Sequence, residues 1–312
     1  MQVEVEKLDL ARFHERAACP VCGDTAFRKV GDLPTIHPRS TLRVAVHQCA
    51  RCAHWHTTPA PEQDYLSNLY ATGSLSVLGA GWGESVAATV AATEPGVAAQ
   101  APVAAPHWIF LDEQAQAPGH YLEVGPGDCA LLRQFQSTGW VSWAIEPGHW
   151  GRGAQQVVAD VAELPAELQF DVVVLHDVLE HVSEPATLLQ ALGTRLRPGG
   201  RLYLAIPNAD SAEARWLQTR WSMVRPLGHL HYFSRQSVLL LLQQVGCELS
   251  YSRQTNVGTE RYKVRRAIDR VLRERRYGEL RTIVSVLFKR SQDLIGRGDQ
   301  WHVRAVKAAT PR

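Results

Sequence analysis

From residue 107 onward, short apolar runs alternate with segments of helical period, and the inner runs are unbroken by polar residues. In "FDVVVLHDVLEHV", Val172, Val173, Val174 and Leu175 stand consecutively. A strand without polar alternation needs cover on both faces, and a parallel sheet between two helical layers supplies it. "YLEV", "VSWAIEP" and "RLYLAIPN" read as further strands, and "VVADVAELP" as a short strand and turn. "HWIFLDEQA" reads as a helix ending near Pro118-Gly119, and "CALLRQFQSTG" as one stopping at Gly139. "PATLLQALGTRLRPGG" reads as a helix closed by Pro-Gly-Gly, and "SRQSVLLLLQQVG" as one capped by Ser234 and stopped by Gly246. "CELSYSRQ" and "QWHVRAVKA" read as two last strands. Ligands of such sheets bind beyond the carboxyl ends of the strands, so polar residues there are the first candidates for chemistry.

The chain of 312 residues is long enough for a sizeable core, and its net charge of +2 is too small to imply nucleic acid or an anionic membrane. No apolar run of membrane-spanning length is present, and "MQVEVEKLDLARFHERAACP" lacks the basic-then-apolar pattern of a signal peptide. A cytoplasmic protein with no membrane partner is the expectation.

"LEVGPGDC" follows a strand and opens a helix. Gly125 and Gly127 let the backbone turn tightly and approach a ligand. A lone G-x-G does not say which ligand, since the third dinucleotide glycine and the phosphate-loop lysine are both missing. The following strand ends add to it. Glu146 ends "AIEP", where an acidic residue can accept both hydroxyls of a ribose. Asp160 follows the third strand, where it can accept from an exocyclic amino group, and His176 and Asp177 end the fourth, followed by Glu180-His181.

"YLEVGPGDCALL", "AIEPG", "FDVVVLHDVLEHVSEPATLLQALGTRLRPGGRLYLAIPN" and "HLHYFSRQSVLLLLQQVG", in that order, resemble class I S-adenosylmethionine-dependent methyltransferases over about residues 107–255 plus the last strand. The resemblance implies a Rossmann-like seven-stranded α/β sheet with its last strand antiparallel. It implies that Glu123, Gly125 and Gly127 frame the methionine and ribose end of the cofactor, and that Glu146 binds the ribose hydroxyls. It places Asp160 and the backbone of Val161 at the adenine, and His176 near the sulfonium. "HDVLEH" stands where DNA amino-methylases carry an Asn/Asp-Pro-Pro-aromatic motif, which argues against that substrate class.

Methyl transfer to a hydroxyl gains from a general base, worth ~10²–10⁴-fold. Histidine suits the task. His181 after "VLE", and His229 and His231 in "PLGHLHYFS", are the candidates; by the resemblance, the latter loop borders the acceptor site.

Cys19/Cys22 and Cys49/Cys52 form two C-x-x-C pairs separated by 26 residues. In a reducing compartment such pairs read as metal ligands, and four thiolates complete a closed, structural zinc site. His47, His54 and His56 are expected at the surface, since four sulfurs suffice. A zinc ribbon before this domain resembles methyltransferases of sugars and secondary metabolites, and also some ribosomal RNA methyltransferases.

The organisation expected is a zinc ribbon over 1–62, an Ala/Gly-rich connector or helix over 63–106, and the methyltransferase domain over 107–312. A helical insertion is expected at about 257–298. Arg265, Arg266, Arg270, Arg273, Arg275 and Arg276 suit either a solvated face or a wall for an anionic acceptor. Val271, Leu280, Ile283, Val284 and Leu287 offer a face for packing on the domain or on a second copy in a homodimer. The expected function is O-methylation of a small molecule, a saccharide or secondary metabolite, with a histidine base. C-methylation of a nucleotide-linked sugar, and RNA methylation using the ribbon, are the alternatives; nucleic acid is disfavoured by the weak basic charge.

Overall fold

The computed structural model describes residues 8–33, 42–72, 107–148, 154–225, 227–256, 287 and 297–309. The N-terminal part holds β1 (Phe13–His14), β2 (Phe27–Asp32), β3 (Ala45–Cys49), β4 (Trp55–Thr58), β5 (Ala60–Pro61) and α1 (Gln63–Ala71). The larger part runs α2 (Trp108–Glu113), β6 (His120–Val124), α3 (Ala130–Gln136), β7 (Val141–Ile145), β8 (Gln156–Val158) and β9 (Phe170–His176). It continues with α4 (Pro185–Arg195), β10 (Leu196–Pro207), α5 (Ala212–Leu217), β11 (His231–Tyr232), α6 (Arg235–Gln244), β12 (Cys247–Thr255) and β13 (Gln300–Lys307).

Seven strands form one sheet in the order β12-β13-β10-β9-β6-β7-β8. β10, β9, β6, β7 and β8 pair in parallel, while β13 is antiparallel to both β10 and β12. This is the Rossmann-like methyltransferase sheet with an antiparallel last strand. The apolar run Val172–Leu175 lies in β9 at the centre and is fully buried, as an unbroken run requires. The chain leaves β6 toward β7 and β8 on one side, then crosses to β9 and β10 on the other. That switch point opens a crevice at the carboxyl ends of β6 and β9.

Two expectations are corrected. The first helix ends at Glu113, short of Pro118-Gly119. Pro198-Gly199-Gly200 does not follow the helix as a stop; β10 begins at Leu196 and runs through it, with a register shift between Leu196 and Arg201 against β9. Gly199 has φ +76° there, and the turn residues form an irregularity inside a strand. Of the expected connector, 63–71 is helical and 73–106 lies outside the described residues. The Arg-rich insertion lies outside them too, apart from exposed Leu287 and residues 297–298.

The N-terminal part is not a separate module. Its sheet has the order β11-β4-β3-β2, so the expected boundary at residue 62 is crossed by a strand from the larger domain. His231 pairs with His56 and Tyr232 with Trp55. Ser234 Oγ donates to Cys52 O at 2.6 Å, and Gln244 Nε2 to Val21 O at 2.9 Å, tying the cysteine turns to α6. Arg16 donates to Ser183 O at 2.6 Å and pairs with Glu184 at 2.9 Å. Cys19, Val21, Cys49 and Cys52 pack in one core with Phe233, Val238, Leu241 and Leu242.

Candidate active site

The parallel strands end in register. Val124 stands opposite Ile145 and Leu175, and Ile145 opposite Val158. Every cofactor candidate from the sequence lies at or just past one of these ends, with Glu123 the next-to-last residue of β6 and His176 the last of β9, so the sheet brings all of them to one edge. Gly125 N donates to Ile145 O at 2.9 Å, and Glu146 N to Val158 O at 2.9 Å, extending the ladder one step beyond the strands. Gly125 has φ +63°, and a Cβ there would lie 2.8 Å from Val178 Cγ2. Gly127 has φ +51°, and a Cβ there would meet nothing within 4 Å. The loop thus packs against the 177–181 turn at Gly125 and faces open space at Gly127.

Glu146 is half-buried, and its Oε1 accepts from Gly148 N at 2.8 Å. Asp160 is exposed, and its Oδ1 accepts from Ala162 N at 2.8 Å, capping the single turn that begins at buried Val161. His176 is one-third exposed, with its ring 5.3 Å from that of His107 and Nδ1 3.5 Å from Asp177 Oδ2.

Glu123 is the buried member. It is 5% exposed, and Tyr121 OH donates to its Oε2 at 2.9 Å. Burial pushes its carboxyl up to about 8, against the lowering effect of that hydrogen bond. The raised value means the free protein keeps the proton while the unfolded chain loses it, so stability should fall as pH rises from about 4.5 to about 8. A cationic ligand at this edge favours the carboxylate and expels the proton. Its affinity should therefore rise with pH up to about 8 and then level, and Glu123→Gln should flatten the rise. Calorimetry in buffers of different ionisation enthalpy, near pH 7, reads the released proton directly.

The three candidate histidines separate into two groups. His181 and His229 meet with ring centroids 4.8 Å apart, beside Glu180. His231 turns the other way: its Nδ1 is 3.1 Å from His54 Nε2 and its Nε2 3.3 Å from Ser183 O, which commits both ring nitrogens to the seam with the N-terminal sheet. Burial depresses all three, His181 to about 4 and the other two well below the usual histidine range. They are neutral at pH 7 but weak bases. Glu180, fully buried between them, was noted in the sequence only as a neighbour of His181; its adjacency in "LEH" was the available signal.

Residues 101–251 match a family model described as "Methyltransferase domain". That stretch is a methyltransferase domain. Over 56 residues it is 41% identical to a ubiquinone biosynthesis O-methyltransferase of Aeromonas salmonicida (strain A449), covering 18% of this chain and 24% of that one. Over 116 residues it is 28% identical to the protein of the same description from Pseudomonas paraeruginosa (strain DSM 24068 / PA7), covering 32% and 50%. The chain therefore spans a quarter to a half of the length of these relatives. Among solved structures it resembles the 1,6-didemethyltoxoflavin-N1-methyltransferase of Burkholderia thailandensis with bound 1,6-didemethyltoxoflavin and S-adenosylhomocysteine. That likeness is at 15% identity and TM-score 0.47, over 87% of this chain and 98% of that one. It also resembles the N-methyltransferase NodS of Bradyrhizobium japonicum WM9, at 15% identity and TM-score 0.39, over 64% and 83%. Among the described residues, no helix is long and apolar enough to cross a membrane.

The fold brings the four cysteines together. Their sulfurs lie within 4.8 Å of one another, with Cys19–Cys52 at 3.6 Å and Cys22–Cys49 at 3.5 Å. Tetrahedral zinc with bonds of ~2.3 Å sets its sulfurs about 3.8 Å apart, so the cluster fits a four-sulfur ion. Each C-x-x-C turn closes on itself, Gly23 N donating to Cys19 O at 2.9 Å and Ala53 N to Cys49 O at 3.0 Å. Cys52 hydrogen-bonds the Cys19 thiol and draws it down to about 5, while Cys52 itself is pushed up. His54 and His56 are not at the surface; both are fully buried, against Phe233 at 5.0 Å and Phe27 at 4.9 Å respectively. The expectation failed because β11 covers β4, a contact that a local sequence pattern does not reveal. Among the described residues, the cluster groups these four cysteines and no histidine.

Proposed function

We propose that the protein moves the methyl group of S-adenosylmethionine to a hydroxyl oxygen of a small molecule. The contiguous sheet edge carries this reading: Glu123 near the end of β6 with Gly125 and Gly127 just after it, Glu146 after β7, Asp160 and Val161 after β8, and His176 ending β9. In this assignment the glycines border the methionine end, and Glu146 accepts from the ribose hydroxyls. Asp160 and the Val161 backbone meet the adenine, and His176 lies toward the sulfonium. The open space at Gly127 is the cradle that such a ligand requires.

Bound cofactor supplies an electrophilic methyl on a sulfonium. Held by Glu146, Asp160 and the glycine loop, it would present that methyl to the acceptor oxygen and leave as the neutral thioether, the hydroxyl proton going to solvent. Charge disperses in this transition state, so alignment and exclusion of water contribute most. The buried groups after β9 abut the glycine loop through Val178 and favour an acceptor hydroxyl. C-methylation of a nucleotide-linked sugar is the second reading, favoured by β11, which fuses the loop carrying His229 to the cysteine sheet. Zinc is assigned to Cys19, Cys22, Cys49 and Cys52 as a structural ion, since four protein ligands leave it no open position.

Calorimetric titration with S-adenosylhomocysteine tests the donor half. Binding is expected, weakened ~10–100-fold by Glu146→Ala through the loss of charged hydrogen bonds. Absence of binding by the wild type would refute methyl transfer.

A further inference from the structure

A second cluster in the molecule has the composition of a metal centre. Glu180 and His181 sit in the turn after β9, and His229 in the loop before β11. One ligand atom from each lies within 4.8 Å of the others, and all three residues are buried. The two segments are joined by backbone, Leu230 N donating to Glu180 O at 2.7 Å. Each imidazole has one nitrogen fixed from outside the cluster. His181 Nδ1 is hydrogen-bonded to Gly228 O, which leaves Nε2 as the nitrogen facing Glu180 Oε1 at 3.9 Å. His229 is hydrogen-bonded to the backbone of Met223. Backbone carbonyls that orient imidazoles in this way are the usual outer shell of metal-bound histidine.

The inner atoms carry the inference. Both carboxylate oxygens of Glu180 are fully buried and take no hydrogen bond from another residue, and His229 Nδ1 is likewise buried without a partner. A buried polar atom without a partner is destabilising. A proton on Glu180 could serve one of these acceptors, but a single donor cannot serve them all. One cation satisfies all of them. Bonds of ~2.1 Å bring nitrogen and oxygen donors to about 3–3.5 Å from one another, which side-chain rotation reaches from the present spread.

We propose that Glu180, His181 and His229 bind a divalent transition-metal ion whose remaining coordination position takes the acceptor oxygen. Two imidazoles and one carboxylate suit zinc or another late first-row divalent ion, and three protein ligands leave a place open, unlike the four-sulfur site. Val178, between this cluster and Gly125, puts the ion beside the cofactor loop. The ion's role rests on the methyl-transfer reading: a coordinated hydroxyl loses its proton to solvent more readily, and the oxygen so exposed attacks the methyl. This supplies what weakly basic, buried histidines do not.

The test is metal content of the full-length protein, purified without chelator and dialysed against Zn²⁺. Two equivalents are expected for the wild type. Glu180→Gln and His229→Ala should each bind one, with S-adenosylhomocysteine affinity unchanged. Loading with Co²⁺ should give a sulfur-free visible spectrum beside that of the cysteine site, lost in Glu180→Gln. One equivalent in the wild type, removed only by cysteine substitution, overturns the proposal, and this measurement decides even if a variant fails to fold. Stoichiometry is read without cofactor. A failed S-adenosylhomocysteine titration therefore refutes methyl transfer and leaves the metal site standing, while a single equivalent does the reverse.

Discussion

Replacing Cys49 with serine should melt the N-terminal sheet and abolish methyl transfer while leaving cofactor binding in place. The sulfur cluster is the centre of a small unit whose strands, β2 to β4, are only four to six residues long. In such units the metal supplies folding free energy outright, ~10–16 kcal/mol in isolated zinc-binding peptides. Losing one sulfur forfeits much of it. The damage cannot stay local, because β11 is the fourth strand of the same sheet and Ser234 donates to Cys52 O. Loosening that seam frees the loop that carries His229. The strands of that edge share one core with the cysteines but are also held on the other face of the sheet, where Tyr121, Phe135, Trp140 and Val174 form a separate core. The expected results are therefore a lower Tm, one metal equivalent fewer, turnover reduced by ~10²-fold or more through misplacement of the acceptor loop, and unchanged S-adenosylhomocysteine affinity. Unfolding by circular dichroism, metal analysis and calorimetry on one preparation separate these effects. Unchanged turnover would show that the cysteine unit and the site are independent.

The central sheet and the polar residues at its carboxyl edge were legible because local patterns encode them. An unbroken apolar run reports burial on both faces, and polar residues just after it report a strand end, so Glu146, Asp160 and His176 could be placed without long-range information. The cysteines were legible for a similar reason, since C-x-x-C is a local turn. The acceptor side was not. Glu180 and His229 are separated in the chain and meet through a backbone hydrogen bond from Leu230. β11 is two residues long, too short to show a period, yet it decides that His54 and His56 are buried and that His231 faces away from His181. The Pro-Gly-Gly after α4 misled because the same residues that stop a helix also accommodate an irregular strand.

Gly125→Ala and Gly127→Ala should fail in opposite ways, although both glycines have positive φ. An alanine in the left-handed region costs ~1–2 kcal/mol at either position. At Gly125 the new methyl also lands 2.8 Å from Val178 Cγ2, so either the glycine loop or the 177–181 turn must shift. That variant should lose about 2–4 kcal/mol of stability. Adding Val178→Ala should recover the steric part and leave the backbone strain, so the double mutant should fall between the single variant and the wild type. At Gly127 the methyl enters open space, and stability should drop by no more than the backbone strain. If that space holds the methionine end of the cofactor, the same methyl blocks it, and affinity for S-adenosylhomocysteine should fall ~10²-fold, equivalent to about 2.7 kcal/mol. Urea unfolding and calorimetric titration of the three variants test both halves. A Gly127→Ala protein with full affinity would place the cofactor elsewhere along the sheet edge.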